Sequence, residues 1–157
     1  MNAVFDLAVR VVDWPAAAPR VMPLRAQVFV VEQGVPAALE RDAFDAVSRH
    51  ALAETPDGTV VGTGRLLPDG RIGRMAVAAA WRKRGIGAQL LAALIEEATA
   101  RGLREVVLHA QLAAVAFYLR HGFVAEGAVF SEAGIAHQAM RRGLDPRALT
   151  PAGADAP

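Results

Sequence analysis

The sequence contains no cysteine among its 157 residues. Disulfides, a thiol nucleophile and a cysteine-ligated metal site are therefore excluded. An excess of one charge is also lacking, because 17 Lys and Arg residues stand against 16 Asp and Glu residues and leave a net charge of +1. This balance argues against a general nucleic-acid or membrane-binding surface. We therefore expect neither nucleic acid nor a membrane among the partners of the protein.

Long hydrophobic runs are missing as well. No stretch has the apolar length of a membrane span, and the first residues lack a basic segment followed by an apolar run, so a soluble cytoplasmic protein is expected. Hydrophobic residues nevertheless make up 54% of the chain, enough to bury a core in one domain. Pro, Ala and Gly dominate the C-terminus. We predict one domain over residues 1–143 and a disordered tail over residues 144–157.

The first third of the sequence predicts a strand, a helix and a loop. Residues 4–14 alternate loosely between apolar and polar side chains, which indicates a strand. From Pro19 to Gln33 the apolar residues recur at helical spacings, and Pro23 is compatible with a helix only near its start. The acidic segment over residues 39–45 shows no clean period. We interpret it as a loop.

Two Asp-Gly pairs, at residues 57–58 and 69–70, predict a β-meander. Asp-Gly between short apolar runs is a strong local signal for a hairpin. The three strands predicted on this basis cover residues 50–54, 59–67 and 71–78. A helix over residues 86–102 and a buried strand over residues 105–110 then complete a β-α-β unit with the last strand of the meander. The remaining predicted elements are a helix over residues 113–121 and closing strands over residues 123–127 and 136–142, joined by a loop.

The most unusual local sequence lies between the meander and the following helix, where Arg82, Lys83 and Arg84 precede Gly85 and Gly87. Cations at a helix N-terminus are each unfavourable by roughly 0.3–1 kcal/mol. A glycine in the first turn costs about 1 kcal/mol relative to alanine, and no residue suited to capping precedes the turn. Cations, bare backbone and unpaired N–H groups together form a cradle for phosphate. The alternative is a solvated basic turn whose glycines allow tight packing.

Two common phosphate-binding motifs do not fit this turn. A dinucleotide-binding turn requires a third glycine, but its place is taken by Leu90, and the following strand ends at His109 and Ala110 without an acidic residue. A P-loop requires Gly-Lys-Ser or Gly-Lys-Thr, which the sequence lacks. The predicted ligand is therefore a pyrophosphate whose carrier need not be a nucleoside triphosphate.

Residues Arg82 to Ala88 resemble the Arg/Gln-x-x-Gly-x-Gly/Ala signature of the GNAT superfamily, the acetyl-coenzyme A dependent N-acyltransferases. Lys83 departs from the pattern, since many relatives have glycine there. The resemblance covers nearly the whole chain and is to the ElaA-like branch. The motifs that carry it are Val28 to Gln33, Glu40-x-Asp42-x-x-Asp45, His50, Ala110-Gln111, Phe117-Tyr118, Gly122-Phe123 and Glu132-x-Gly134-Ile135-x-His137-x-x-Met140.

This resemblance implies the GNAT fold: an α/β (α+β) domain with a central, mixed, mostly antiparallel sheet of six to seven strands flanked by helices. The strand of residues 71–78 and the strand of residues 105–110 would form its splayed pair. The implied donor is acetyl-coenzyme A, with no metal. The implied coenzyme A contacts are Met75, Ala76, Val77, Arg82, Lys83, Arg84, Gly85, Ile86, Gly87, Ala88, Gln111, Phe117 and Tyr118.

The resemblance also implies the reaction, in which an acetyl group passes from the thioester to a primary amine by direct attack in a ternary complex. Tyr118 occupies the position of the thiolate's proton donor, although a buried aromatic residue with a satisfied hydroxyl is the alternative. Glu32 and His109 are the two candidate bases. Weaker candidates are Glu126 and His137, and a histidine or glutamate at any one of these places is also compatible with a structural role.

The acceptor is a small-molecule or protein amine, and the protein a monomer or a homodimer. Glu40, Asp42 and Asp45 either attract a cationic acceptor or belong to a solvated loop. We expect the loops over residues 36–47 and 129–136 to determine the acceptor. The alternative function is a non-catalytic acyl-coenzyme A sensor or interaction module, against which Tyr118 argues because binding alone does not require it.

Overall fold

The computed structural model describes residues 6–145. Seven strands form one sheet: β1 Ala8–Val12, β2 Arg49–Glu54, β3 Val60–Leu66, β4 Arg71–Val77, β5 Glu105–Gln111, β6 Val124–Glu132 and β7 Ile135–Gly143. Their order across the sheet is β1-β2-β3-β4-β5-β7-β6. Only β4 and β5 pair in parallel among the neighbours within this part of the chain. The predicted mixed, mostly antiparallel sheet is confirmed, including the β2-β3-β4 meander.

Four α-helices and four shorter or irregular helical segments connect the strands. The α-helices are α1 Trp14–Arg25, α2 Ala37–Glu40, α3 Ile86–Ala100 and α4 Val115–Arg120. A π-helix, Ala26–Glu32, continues α1, and 3-10 turns cover Asp45–Val47, Ala79–Trp81 and Leu112–Ala114. The predicted tail lies outside the described residues, apart from its first two positions.

The first helix begins five residues earlier than predicted. Asp13 caps it, because its carboxylate accepts a hydrogen bond from Ala16 N–H, and Pro15 lies in the first turn where proline is tolerated. Pro23 was expected only near a helix start, but it lies inside α1. The packing of Ala17 and Val21, both fully buried, outweighs the local cost of proline.

Helix α3 packs on one face of the sheet and α1 on the other. Four α3 side chains are fully buried: Leu90, Leu91, Leu94 and Ala98. A buried leucine contributes about 1.5–3 kcal/mol relative to an exposed one, so this face is a main source of stability. Glycine on β3 allows the close approach, since a Cβ at Gly62 would lie 2.8 Å from Leu90 Cδ1.

A β-bulge in β4 separates this strand from β5. Arg65 pairs with Gly73 and Thr63 with Ala76, so that Arg74 and Met75 together lie opposite the single residue between Thr63 and Arg65. Arg74 adopts a left-handed backbone, with φ of 51°. The parallel ladder between β4 and β5 consists of two pairs, Arg71 with Val107 and Ile72 with Leu108. Both pairs precede the bulge, so β4 and β5 are no longer paired beyond it. The predicted splayed pair is therefore present.

The carboxylates of the acidic segment are paired with arginines and do not form a free anionic surface. Glu40 lies in α2 and Asp45 in a 3-10 turn, and each is only 3% exposed. Arg25 donates to Glu40 through Nε and to both carboxylate oxygens of Asp45, at 2.8 and 3.1 Å. Arg65 donates to Asp45 at 3.0 Å and to Asp42 at 2.7 Å. The predicted loop is present over residues 41–44, between α2 and the 3-10 turn, but the carboxylates at its two ends are buried because their charge partners lie on distant elements.

We name the residues Arg25, Glu40, Asp42, Asp45, Arg65 and Arg74 the arginine-carboxylate cluster. Arg74 joins it by donating to Glu40 O at 3.0 Å and to Asp42 at 3.1 Å. Burial opposes the ionisation of Asp45, but hydrogen bonds and charge from Arg25 and then Arg65 still lower the pKa of Asp45 below its usual value. The cluster thus ties α1, the acidic segment, β3 and the β4 bulge together.

Arg25→Ala should lower the free energy of unfolding by about 3–5 kcal/mol, because it leaves two buried carboxylates without their main partner. Urea denaturation followed by circular dichroism measures the change. Arg101→Ala is the matched control, since it breaks an exposed pair with Glu97 one helical turn away and should cost about 0.5 kcal/mol or less. Equal losses in the two variants would contradict a structural role for the cluster.

Candidate active site

A cleft of about 530 Å³ opens where β4 and β5 part. Residues from both strands line it, together with residues from the π-helix, the acidic segment, α4 and the β6-β7 hairpin. Among the predicted site residues it contains Met75, His109, Gln111 and Tyr118. The cleft walls also include Gln33, whose side chain accepts a hydrogen bond from Gln111 Nε2 at 2.9 Å.

The end of β4 presents backbone polar groups to the gap. Ala78 N–H donates to Val61 O on β3 at 2.8 Å, and N–H groups alternate in direction along a strand, so Val77 N–H points away from β3. Val77 O lies on this same side, where Arg82 Nε donates to it at 2.9 Å. A backbone donor is thus available at the strand end, as the resemblance implied for Val77.

The cation-glycine turn, which we define as residues 82–87, follows β4 and the 3-10 turn Ala79–Trp81 and leads into α3. Gly85 precedes the helix with φ of 80° and offers no side-chain cap. Gln89 N–H is the first to reach a carbonyl, that of Gly85 at 3.2 Å, so the N–H groups of Ile86, Gly87 and Ala88 lack intrahelical acceptors. A Cβ at Gly87 would lie 3.6 Å from the ring of Phe117, which therefore forms a wall beside the N-terminus of α3. Bare N–H groups and a close wall suit the pyrophosphate of coenzyme A.

Arg82 links the turn to the candidate base Glu32. Its Nη2 atom lies 2.9 Å from one carboxylate oxygen of Glu32 and donates to the other at 3.1 Å. Arg82, a predicted phosphate contact, and Glu32, a predicted base, are therefore paired with each other in this structure. Arg84 lies over the ring of Trp81, with 5.2 Å from its Cζ atom to the ring centroid.

Tyr118 is buried and yet lines the cleft, with 7% of its surface exposed. Its ring contacts Phe117 and Phe123 edge-on, at centroid distances of 5.1 and 5.6 Å. Burial raises the pKa of the Tyr118 phenol to about 12. The hydroxyl therefore keeps its proton throughout the neutral pH range, as a proton donor requires.

His109 lies in the strand that we predicted to be buried, but 49% of its side chain is exposed. Strand β5 turns Val106, Leu108 and Ala110 to the core and the alternate residues toward the cleft. His109 Nδ1 lies 2.9 Å from Glu132 Oε1. The weaker candidate Glu126 is exposed and bound to Arg141 Nε and Nη2, at 2.6 and 2.9 Å. Its carboxylate lines no part of this cleft.

Several residues of the cleft were missed by the reasoning from sequence. Gln33 and Glu132 were noted only as parts of family motifs, and Arg65 was not noted at all. A charged residue inside the predicted strand over residues 59–67 was the available signal for Arg65, because a buried strand holds a charge only beside a partner. Among residues 6–145, no group of His, Asp and Glu side chains is arranged to hold a metal ion. No helix in the same range is long and apolar enough to cross a membrane.

The fold and the cleft define a class of protein, the acyl-coenzyme A dependent acyltransferases. Residues 17–144 match the family model described as an acetyltransferase (GNAT) domain, which shows that the chain belongs to the GNAT acetyltransferase family. A Bacillus subtilis protein with the name uncharacterized N-acetyltransferase YjcF is 36% identical over 123 residues, covering 76% of this chain and 87% of that relative.

Solved structures agree with this assignment. An acyl-CoA N-acyltransferase from Pseudomonas aeruginosa superposes with a TM-score of 0.79 at 34% identity, covering 87% of this chain and 99% of the other. Escherichia coli ElaA superposes with a TM-score of 0.78 at 29% identity, with coverages of 87% and 99%. The GNAT fold and the resemblance to the ElaA-like branch are confirmed. The protein is an acyltransferase enzyme whose family uses acyl-coenzyme A as donor.

Lys83→Gly should stabilise the protein relative to Lys83→Ala by about 0.5–1 kcal/mol. Lys83 has φ of 64°, a left-handed backbone that costs roughly 1–2 kcal/mol with a side chain, and the greater freedom of unfolded glycine offsets part of the gain. Both variants remove the same charge, so their difference isolates the backbone. Thermal unfolding measures it, and a less stable glycine variant would show that Lys83 is not strained.

Proposed function

We propose that the protein is an acetyl-coenzyme A dependent N-acetyltransferase that transfers the acetyl group to a primary amine by direct attack in a ternary complex. One observation carries the proposal: the gap between β4 and β5 joins an uncapped helix N-terminus to a cleft lined by Tyr118 and His109. Acetyl-coenzyme A supplies the activated thioester when bound. The chain's own residues must then hold the thioester, polarise its carbonyl and move two protons.

The donor would be held mostly by backbone. The N–H groups of Ile86, Gly87 and Ala88 lack intrahelical partners and would donate hydrogen bonds to a pyrophosphate, with Arg82, Lys83, Arg84 and Gly85 completing the turn. Met75, Ala76 and Val77 would hold the pantetheine arm along the unpaired edge of β4, with Gln111 and Phe117 on the opposite side. Val77 N–H would donate to the acetyl oxygen, where charge develops as the amine attacks.

Tyr118 would donate the proton that the leaving sulfur requires. A free thiol has a pKa of about 8.5, well below that of a buried phenol. The same apolar surroundings that raise the pKa of Tyr118 also disfavour a thiolate and raise its basicity, which brings the two groups closer in proton affinity. Burial therefore does not disqualify Tyr118 as the acid.

The acceptor would enter from the side of the cleft opposite the cation-glycine turn. Glu40, Asp42 and Asp45 lie near this side, but Arg25, Arg65 and Arg74 compensate their charge. We therefore do not expect these carboxylates to attract a cationic acceptor. Of the candidate bases, His109 lines the cleft, whereas Glu32 is not among the lining residues and is paired with Arg82.

Gly87→Glu should abolish binding of coenzyme A, because the new carboxylate would occupy the uncapped helix end and repel a pyrophosphate. Isothermal titration with coenzyme A measures the loss, which we expect to exceed about 100-fold, equivalent to about 2.7 kcal/mol. Ala100→Glu is the control, since Ala100 is an exposed residue of the same helix, α3, at its far end. Unchanged affinity in folded Gly87→Glu protein would place the pyrophosphate elsewhere.

Tyr118→Phe should lower kcat by about 10²–10⁴-fold while the affinity for acetyl-coenzyme A is kept, because it removes a general acid but little packing. Release of free thiol across a panel of primary amines gives the rate, and circular dichroism confirms the fold. Equal rates in the two proteins would remove Tyr118 from the mechanism. Tight donor binding by the wild type without turnover of any amine would favour the sensor function instead.

A further inference from the structure

We propose that Glu132 is a positioning residue that fixes His109 as the base accepting the proton of the acceptor amine. The inference rests on the proposed acetyltransferase function and extends it to the acceptor side of the cleft. Glu132 lies outside the set of site residues implied by the family resemblance. Both residues line the cleft between β4 and β5, on the walls formed by β5 and the β6-β7 hairpin.

Strand register places the participating side chains on one face of the sheet. Gln111 pairs with His137 and His109 with Ala139 across β5 and β7, while His137 pairs with Phe130 and Ile135 with Glu132 across β7 and β6. Residues paired across strands share a face, as do residues two apart in one strand. His109, Phe130, Glu132 and His137 therefore form a contiguous cross-strand group beside the cleft.

The contact with Glu132 determines the tautomer of His109. A carboxylate only accepts hydrogen bonds, so His109 Nδ1, 2.9 Å from Glu132 Oε1, carries the hydrogen. In the neutral imidazole Nε2 then has a free lone pair. Base catalysis requires this state, in which the inner nitrogen is protonated and the outer one is ready to accept. The exposed His109 ring lies where an amine that enters the cleft can reach it.

The positions of both partners are fixed by their surroundings. Phe130 contacts the His109 ring edge-on at a centroid distance of 4.9 Å. Glu132 ends β6 at a tight turn in which Ala133 and Gly134 have φ of 52° and 77°. His137 Nδ1 donates to Ile135 O at 2.7 Å, and its Nε2 lies 3.8 Å from the second oxygen of Glu132. The carboxylate thus lies between two histidines and is hydrogen-bonded to His109.

The other charged groups around this cleft are less suited to accept the proton. Glu32 is paired with Arg82, and Asp42 binds Arg65 and Arg74. The remaining titratable residues that line the cleft are Glu40, in contact with Arg25, and Arg71, Tyr118 and His137. Tyr118 is protonated, and His137 is nearly buried, with 7% of its surface exposed. His109 combines access to the cleft with a free lone pair.

His109 and Tyr118 together account for both protons that move in the reaction. His109 Nε2 takes a proton from the amine as the new N–C bond forms, and the C–S bond breaks while Tyr118 gives its proton to the sulfur. The imidazolium then returns its proton through solvent to the Tyr118 phenolate. The products are an amide and a free thiol, and both side chains regain their starting states.

The test combines kinetics with an NMR measurement on the full-length protein. Glu132→Gln should lower kcat by about 10–100-fold without changing KM for acetyl-coenzyme A, as loss of an orienting partner commonly does. Glu105→Gln is the control, since Glu105 is also an exposed carboxylate, on the same strand as His109, but pairs with Arg141 away from the cleft. It should retain the wild-type rate.

A double-mutant cycle separates positioning from a general structural role. His109→Gln should lose at least as much activity as Glu132→Gln, and the double variant no more than His109→Gln alone, because residues that act as a unit are non-additive. Nitrogen-15 spectra of the histidine side chains should show the Nδ1–H tautomer of His109 in the wild type. They should show a shift toward the Nε2–H tautomer in Glu132→Gln, because the Gln amide is able to donate to Nδ1.

The outcomes that overturn the inference are distinct from failure of the proposed function. A wild-type rate in Glu132→Gln or in His109→Gln, multiplicative losses in the double variant, or an unchanged His109 tautomer would each overturn it while leaving the acetyltransferase function intact. Absence of wild-type turnover on every amine would overturn the proposed function and, with it, the role of His109 as base.

Discussion

The bulge in β4 is the constraint on which the rest of the site depends. Two residues, Arg74 and Met75, lie opposite one on β3, and the parallel ladder with β5 ends after two residue pairs. The bulge leaves the far end of β4 without a partner on its β5 side, so Val77 N–H points toward the gap, while Val77 O accepts a hydrogen bond from Arg82 Nε. The cation-glycine turn follows this end after the 3-10 turn Ala79–Trp81. The proposed donor site and the cleft therefore share one cause.

The bulge requires support, because an arginine in a left-handed conformation is strained by about 1–2 kcal/mol. The arginine-carboxylate cluster supplies it, since the Arg74 side chain is held by Glu40 O and Asp42. Arg25 and Arg65 fix the segment that carries these acceptors. A buried ionic cluster is not an efficient source of stability, since apolar residues often do as well. Its contribution here is to keep one geometry of the bulge beside the cleft.

Local sequence signals predicted most of the fold but not the bulge or the cluster. The Asp-Gly pairs identify the meander because those turns need glycine at a positive φ, as at Gly58 and Gly70. Arg74 has no such signature, since its conformation is imposed by tertiary contacts. The partners of Glu40 and Asp45 come from α1 and β3, at separations in sequence that no local period reports. The β6-β7 hairpin was predicted too short because β6 is exposed along almost its whole length and lacks apolar alternation.

The same distinction applies to the site. The proposed donor end follows from a conflict of local rules, because cations and glycines at an uncapped helix start point to a ligand without any knowledge of the fold. The proposed acceptor end consists of side chains on β5 and β6, so its composition becomes visible only with strand register. His109 and Glu132 are 23 residues apart and meet through two strand pairings.

The donor and acceptor sides of the proposed site would achieve their specificity in different ways. In the proposed donor site, backbone N–H groups at the turn would recognise a phosphate chain whatever the neighbouring side chains are, so substitutions around them would alter donor binding only where they fill space or change backbone conformation. The proposed acceptor side uses a carboxylate and an imidazole in a fixed pair, Glu132 with His109. Replacing one member of such a pair leaves the other without its partner. In the proposed site, changes in acceptor choice would therefore require coordinated substitutions on separate strands, whereas recognition of the pyrophosphate would depend on a single continuous segment.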